Sequence, residues 1–140
     1  MKIRIEMPKG SKYKYEMKDG TLSLDRVLKE CVPVNYGYIE DTLALDGDAL
    51  DVFVASRSPL IPGSVVEVEV VGVYECLDQG VRDDKVLAIL KGDYVNAEAD
   101  AILLYLSTYK EGFEVMGYQG IHMADSLIER AKHAYSTSVV

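Results

Sequence analysis

Apolar and polar residues alternate through most of the first two-thirds of the chain. In KIRIEM (residues 2–7) Ile3, Ile5 and Met7 fall on one face, the period of a half-buried strand. KYKYEM (12–17) and TLSLD (21–25) alternate in the same way, and the intervening KDG (18–20) reads as a hairpin turn. ALDVFVAS (49–56) is β-branched and apolar and runs into the turn-forming PLIPGS. VVEVEVVGVYEC (65–76) is the longest strand expected; a polar loop, LDQGVRDD, and a further strand, KVLAIL (85–90), follow it. The period then becomes helical. Asn96 stands where it can cap a helix whose Ile102, Tyr105, Leu106 and Tyr109 recur at i, i+3, i+4 and i+7. A second helix sets Ala124, Leu127, Ile128, Ala131 and Tyr135 on one stripe. Five or six short strands followed by helices predict a mainly β, α+β fold: a small closed barrel with helices on its side.

Composition narrows the partners. At 140 residues the chain is expected to form one domain, 1–140, able to bury a core without disulfides or structural metal. No apolar run approaches the roughly 20 residues of a membrane span, and charges interrupt the N-terminal segment where a signal peptide would be apolar. Cys31 and Cys76 lie far apart without a CxxC partner and are expected to be buried thiols in a reducing cytoplasm. The net charge of −8 argues against nucleic acid or an anionic membrane as partner. It leaves room for a phosphate ligand, because bound cations reverse the local sign of a site.

One stretch departs from the pattern. LALDGDALDVFV (43–54) sets Asp46, Asp48 and Asp51 in an otherwise apolar run. Asp-Gly-Asp is good turn chemistry, which accounts for Asp46 and Asp48 but not for Asp51 inside the following strand. A calcium-binding helix–loop–helix starting at Asp46 fails, because Leu50, Asp51 and Arg57 stand where an oxygen ligand, a glycine and a glutamate are required. Hard cations held by all three carboxylates fit better: crowded acids repel unless neutralised, and all-oxygen ligation selects Mg2+ or Mn2+ over zinc or copper. Asp78, Asp83 and Asp84, with Lys85 beside them, form a second acidic cluster that can complete a multi-metal site. His122 and His133 lack zinc-ligand spacing, and neither a G-x-S-x-G elbow nor a P-loop is present.

Taken together, NYGYIEDTLALDGDALDVFV resembles the signature region of the soluble, barrel-type inorganic pyrophosphatases, in which Asp-x-Asp-Pro-x-Asp follows a Tyr-Gly-Tyr or Tyr-Gly-Phe segment. The resemblance continues in order through IEMP, KYE, LDR, DQGVRDDK, YKEG and the last helix, ADSLIERAKHAY. It implies a five-stranded OB-like barrel with two flanking helices, and hydrolysis of pyrophosphate to two orthophosphates by a metal-activated water. By the same resemblance Asp46, Asp51, Asp78 and Asp83 ligate several Mg2+ ions, with Mn2+ as a substitute, and Glu6 assists a further metal. Asp48 is the implied base. Lys14, Arg26, Tyr36, Tyr109 and Lys110 hold the phosphoryl groups, and Lys85 sits among the acids and tunes their charge. A cytoplasmic homo-oligomer, commonly a hexamer, is implied as well.

Some positions depart from the family's pattern. Ala49 replaces the signature proline or glutamate, and Val32 replaces an aromatic residue before P-x-N-Y-G-Y. The tryptophans usual near the C-terminus are absent, with Phe113 and Tyr118 placed to take their packing roles. The segment before the first helix is short, which bears on the hexamer more than on the chemistry. The competing readings are a catalytically altered relative and a non-enzymatic OB-type binding module. Every core acid is present, against the first, and the acidic charge weighs against the second.

Overall fold

The computed structural model describes residues 1–138. Its elements in chain order are β1 (Lys2–Met7), β2 (Tyr13–Lys18), β3 (Thr21–Val27), β4 (Asn35–Ile39), β5 (Asp51–Ala55), β6 (Val65–Asp78), β7 (Val81–Arg82), β8 (Lys85–Leu90), α1 (Ala99–Ser107), β9 (Phe113–Gly120) and α2 (Ile121–Ser138). Strands β1, β4, β5, β8 and β6 pair in that order, and β6 pairs back to β1, so five strands close into a ring. This is the mainly β, barrel-like architecture expected. All its pairings are antiparallel except β5 with β8. The hairpin β2–β3 forms a separate two-stranded sheet, with every β3 residue exposed.

Alternation places the core. Ile3, Ile5, Val52, Val54, Val86 and Ala88 turn inward and meet Ala124, Ile128 and Ala131 of α2. The other cluster, with Met7, Val32, Phe53, Leu87, Ile102 and Leu106, lies under α1. Gly37 is required where β1 pairs with β4: a Cβ there would collide with the Arg4 carbonyl oxygen. The Tyr-Gly-Tyr segment thus keeps two phenols while letting the strands approach.

Asn35, fully buried, ties the loops below the site to the ring. Its Nδ2 donates to the Val54 carbonyl and to Ser56 Oγ, each at 2.8 Å, and its Oδ1 accepts from the amides of Lys9 and Leu60, each at 2.9 Å. Replacing Asn35 with leucine removes all four bonds and leaves the buried Val54 carbonyl and Ser56 hydroxyl short of a partner. The cost of orphaning buried groups predicts a loss of about 3 kcal/mol, read from the urea midpoint at unchanged m-value.

Several local expectations are corrected. Alternation does not reveal β4 or β9, and the segment read as a polar loop contains the end of β6 and the short strand β7. The first helix begins later than Asn96 predicts: Asn96 Oδ1 accepts the Glu98 amide at 2.7 Å in a turn, and Glu98, at φ 61°, is the residue before the helix. It also ends earlier, at Ser107, where Ser107 Oγ donates back to the Leu103 and Leu104 carbonyls. Tyr109 and Lys110 therefore lie in the turn before β9 and not on the helix. Cys76 is buried as expected, but Cys31 is exposed, because the loop carrying it turns Val32 inward instead. Tyr118 packs edge-on against Tyr74 at 5.1 Å yet remains nearly half exposed. None of the described helices is long and apolar enough to cross a membrane.

Candidate active site

Strand register builds the site. Asp51 opens β5 and Lys85 opens β8, and the parallel pairing sets them side by side. On the other flank of β5, Asp51 faces Tyr38. Asp83, two residues before Lys85, shares its face. The Lys85 ammonium consequently donates to Asp51 Oδ2 at 2.7 Å, lies 3.0 Å from Asp83 Oδ2, and donates to the Tyr36 hydroxyl at 2.8 Å. Gly47, at φ +90°, turns the chain so that Asp46 comes back toward this group, and Asp46 Oδ1 accepts the Asp48 amide at 3.0 Å. One carboxylate oxygen from each of Asp46, Asp51 and Asp83 lies within 4.8 Å of the others.

Two bulges aim further side chains. On β1 the pairing with β4 shifts between Ile5 and Met7, leaving Glu6 as the extra residue. On the hairpin the shift lies at Asp25, and it brings Lys14 directly opposite Arg26. At the far side Lys110 Nζ pairs with Asp78 Oδ2 at 2.7 Å. The result is a single cleft of about 420 Å3. The acids Glu6, Asp46, Asp48, Asp51, Asp78 and Asp83 line it, as do Lys14, Arg26, Tyr36, Lys85, Tyr109 and Lys110. Every site residue that the family resemblance implies thus reaches one space, whereas Asp84 of the second acidic cluster does not, because its carboxylate accepts from the Cys76 amide and from Arg82. Of the four expected metal ligands, Asp78 stands apart from the tight trio.

The cleft also contains residues given no role above: Glu16, Asp25 and Tyr38. Glu16 shares a strand face with Lys14, two residues away, which was the available signal. Asp25 carried none, since its orientation comes from the bulge.

The electrostatics of the cleft suit cations. Burial pushes Glu6 up to about 7, against the pull of Lys14. Burial likewise raises Asp83 to about 6, against the pull of Lys85 and with the push of Asp51. Burial also raises Asp46. For Lys85 burial favours the neutral form, but Tyr36, Asp51 and Asp83 outweigh it and hold the ammonium charged. One lysine cannot neutralise this many acids. Among the described residues Asp78 Oδ1, which is buried, has no hydrogen-bond partner. An all-oxygen donor set with an orphaned carboxylate oxygen fits a hard divalent cation.

A pH dependence follows. With divalent cations chelated, Glu6 and Asp83 keep protons at pH values where the unfolded chain has lost them. The folded state then binds more protons, so their contribution to stability falls as pH rises between about 4 and 7. Added Mg2+ meets ionised carboxylates above that window and competes with protons below it. The gain in Tm on adding Mg2+ is therefore expected to be larger at pH 8 than at pH 5. An equal gain at both would contradict proton–cation competition.

Comparison with known proteins agrees with the geometry. A family model described as inorganic pyrophosphatase matches residues 3–136. The chain is 39% identical to an inorganic pyrophosphatase of Halalkalibacterium halodurans over 94% of its length and 92% of that protein's. It is 43% identical to one of Nanoarchaeum equitans over 79% of this chain and 69% of the relative. Among solved structures, the inorganic pyrophosphatase of Thermus thermophilus superposes with a TM-score of 0.87 at 33% identity, covering 97% of this chain and 91% of that one.

Proposed function

This chain belongs to the inorganic pyrophosphatase family, and we propose that its acidic cleft hydrolyses pyrophosphate to two orthophosphates with the help of Mg2+. The observation that carries the reading is the convergence of Asp46, Asp51 and Asp83 beside fixed cations and phenols in one cleft. Asp46, Asp51, Asp78 and Asp83 would hold the cations, with Glu6 at the margin. When bound, they would neutralise phosphoryl oxygens and acidify a water in the cleft.

The chain's own groups divide the remaining work. Lys14, Arg26, Tyr36, Tyr109 and Lys110 bind the phosphoryl oxygens; Arg26 offers two parallel N–H donors, and the phenols donate without adding charge. Asp48 is exposed at the cleft and takes the proton from the attacking water. The water oxygen bonds to one phosphorus as the bridging P–O bond breaks, and the second phosphate leaves. Lys85 holds Asp51 and Asp83 in place while offsetting their repulsion. We further infer a cytoplasmic homo-oligomer, resting on the family resemblance alone.

The reading is tested by orthophosphate release from pyrophosphate with either Mg2+ or Ca2+ as the sole divalent cation. Mg2+ holds oxygens at about 2.0–2.1 Å in an octahedron, whereas Ca2+ prefers about 2.3–2.6 Å and more ligands. Turnover is expected with Mg2+ and not with Ca2+, which inhibits when added to the Mg2+ enzyme. Full activity with Ca2+ alone contradicts tight positioning of the attacking water. Arg26→Lys is expected to raise KM about tenfold or more despite keeping the charge, because the planar two-point contact is lost. Unchanged kinetics would make Arg26 a purely electrostatic group.

A further inference from the structure

Five aromatic rings form a chain behind the cleft. Centroid distances are 4.9 Å from Tyr36 to Phe53, 6.3 Å from Phe53 to Tyr105, 5.5 Å from Tyr105 to Tyr109 and 5.2 Å from Tyr109 to Phe113. The Lys85 ammonium stands over three of them, 5.3 Å from the Tyr36 centroid, 5.9 Å from Tyr109 and 5.8 Å from Phe113. Tyr36 and Phe53 belong to the strand ring, on β4 and β5, whereas Tyr109 and Phe113 belong to the connection into β9 and its first residue. Tyr105, on α1, touches both halves.

Two of the three phenols that line the cleft, Tyr36 and Tyr109, are held differently. Tyr36 is fixed by the Lys85 ammonium at 2.8 Å. Among the described residues the Tyr109 hydroxyl makes no hydrogen bond to protein, so the packing of its ring against Tyr105 and Phe113 orients it. Tyr105 is itself buried, on the inward stripe of α1 with Ile102 and Leu106. Its hydroxyl likewise has no hydrogen-bonded protein partner among the described residues, which leaves the ring as its means of action.

We propose that Tyr105 is a positioning residue for the pyrophosphate site: its ring bridges the strand ring to the α1–β9 turn and so fixes the separation of the Tyr36 and Tyr109 phenols. This rests on the reading of the cleft as a pyrophosphate site. Phosphoryl recognition by groups on two independent elements is sensitive to their spacing, and misplacement of about 1 Å can cost on the order of 100-fold.

The test compares Tyr105→Phe, which keeps the ring, with Tyr105→Leu, which removes it; Tyr105→Met replaces the latter if it does not fold. KM for pyrophosphate in Mg2+ and the Kd for imidodiphosphate, a hydrolysis-resistant analogue, are measured together. Tyr105→Leu is expected to raise both about tenfold, and Tyr105→Phe to stay within about twofold of wild type. In a Tyr109→Phe/Tyr105→Leu double variant the effects should fall short of additive, because one acts through the other. A role in folding alone would lower Tm and the active fraction but leave KM and Kd of the folded molecules unchanged. That outcome overturns the proposal, as does a Tyr105→Phe variant as weak as Tyr105→Leu. Wild-type protein that binds imidodiphosphate but releases no phosphate from pyrophosphate would sink the functional reading instead, and the binding arm would still decide the role of Tyr105.

Discussion

Asp48→Asn lowers kcat for pyrophosphate by about 10²–10⁴-fold, the range for loss of a general base, while leaving the fold and cation binding in place. The amide is nearly isosteric, and Asp48 is exposed, so no core contact is lost. The amide of residue 48, not its side chain, donates to Asp46 Oδ1, so the Asp-Gly-Asp turn survives the change. The trio of Asp46, Asp51 and Asp83 is likewise untouched. What disappears is the ability to accept a proton at that edge of the cleft. Steady-state kinetics in saturating Mg2+ separate the cases: a fall in kcat with KM little changed supports the assignment. Wild-type turnover would move the base elsewhere.

Lys85→Met destabilises the protein by about 3–5 kcal/mol in the presence of chelator, because it leaves two carboxylates without the charge that compensates them. Lys85 is 2% exposed, so water cannot take over from the ammonium. Asp51 and Asp83 would face one another with only protons to relieve their repulsion, and Tyr36 would lose its donor. The methionine fills similar volume, which keeps cavity formation out of the comparison. Mg2+ should restore part of the loss by supplying counter-charge to the same carboxylates. Urea unfolding in chelator and in Mg2+ reads both effects; a loss below about 1 kcal/mol in chelator would mean that the ion pairs contribute no more than surface ones.

The ring was legible where one face of a strand is buried and the other is not. Ile3, Ile5 and Met7 of β1 and the long run of β6 announce themselves by alternation, and the α2 stripe of Ala124, Ile128 and Ala131 by helical spacing. The acids of the candidate site were legible as carboxylates in apolar surroundings, and the family resemblance supplied the roles proposed for them. What stayed hidden is set by pairing across the chain. Nothing near Asp51 indicates that Lys85 will lie beside it, since that contact comes from the register of two parallel strands. The bulges that turn out Glu6 and Asp25 depend on partners in β4 and β2. The C-terminal limit of α1 is masked because Tyr105 and Tyr109 are four residues apart and pack together, which mimics a continuing helical stripe after the helix has ended at Ser107. In β9, glycines break the alternation, and its position follows from pairing with β6.

Pyrophosphate hydrolysis in this cleft is expected only when its carboxylates hold divalent cations. Orthophosphate release is measured on one preparation of wild-type protein, first with excess chelator and then as Mg2+ is titrated past it. No release in chelator and rapid release on addition of Mg2+ is the predicted result. Undiminished release in chelator, or none at any Mg2+ concentration with the protein folded, would contradict it.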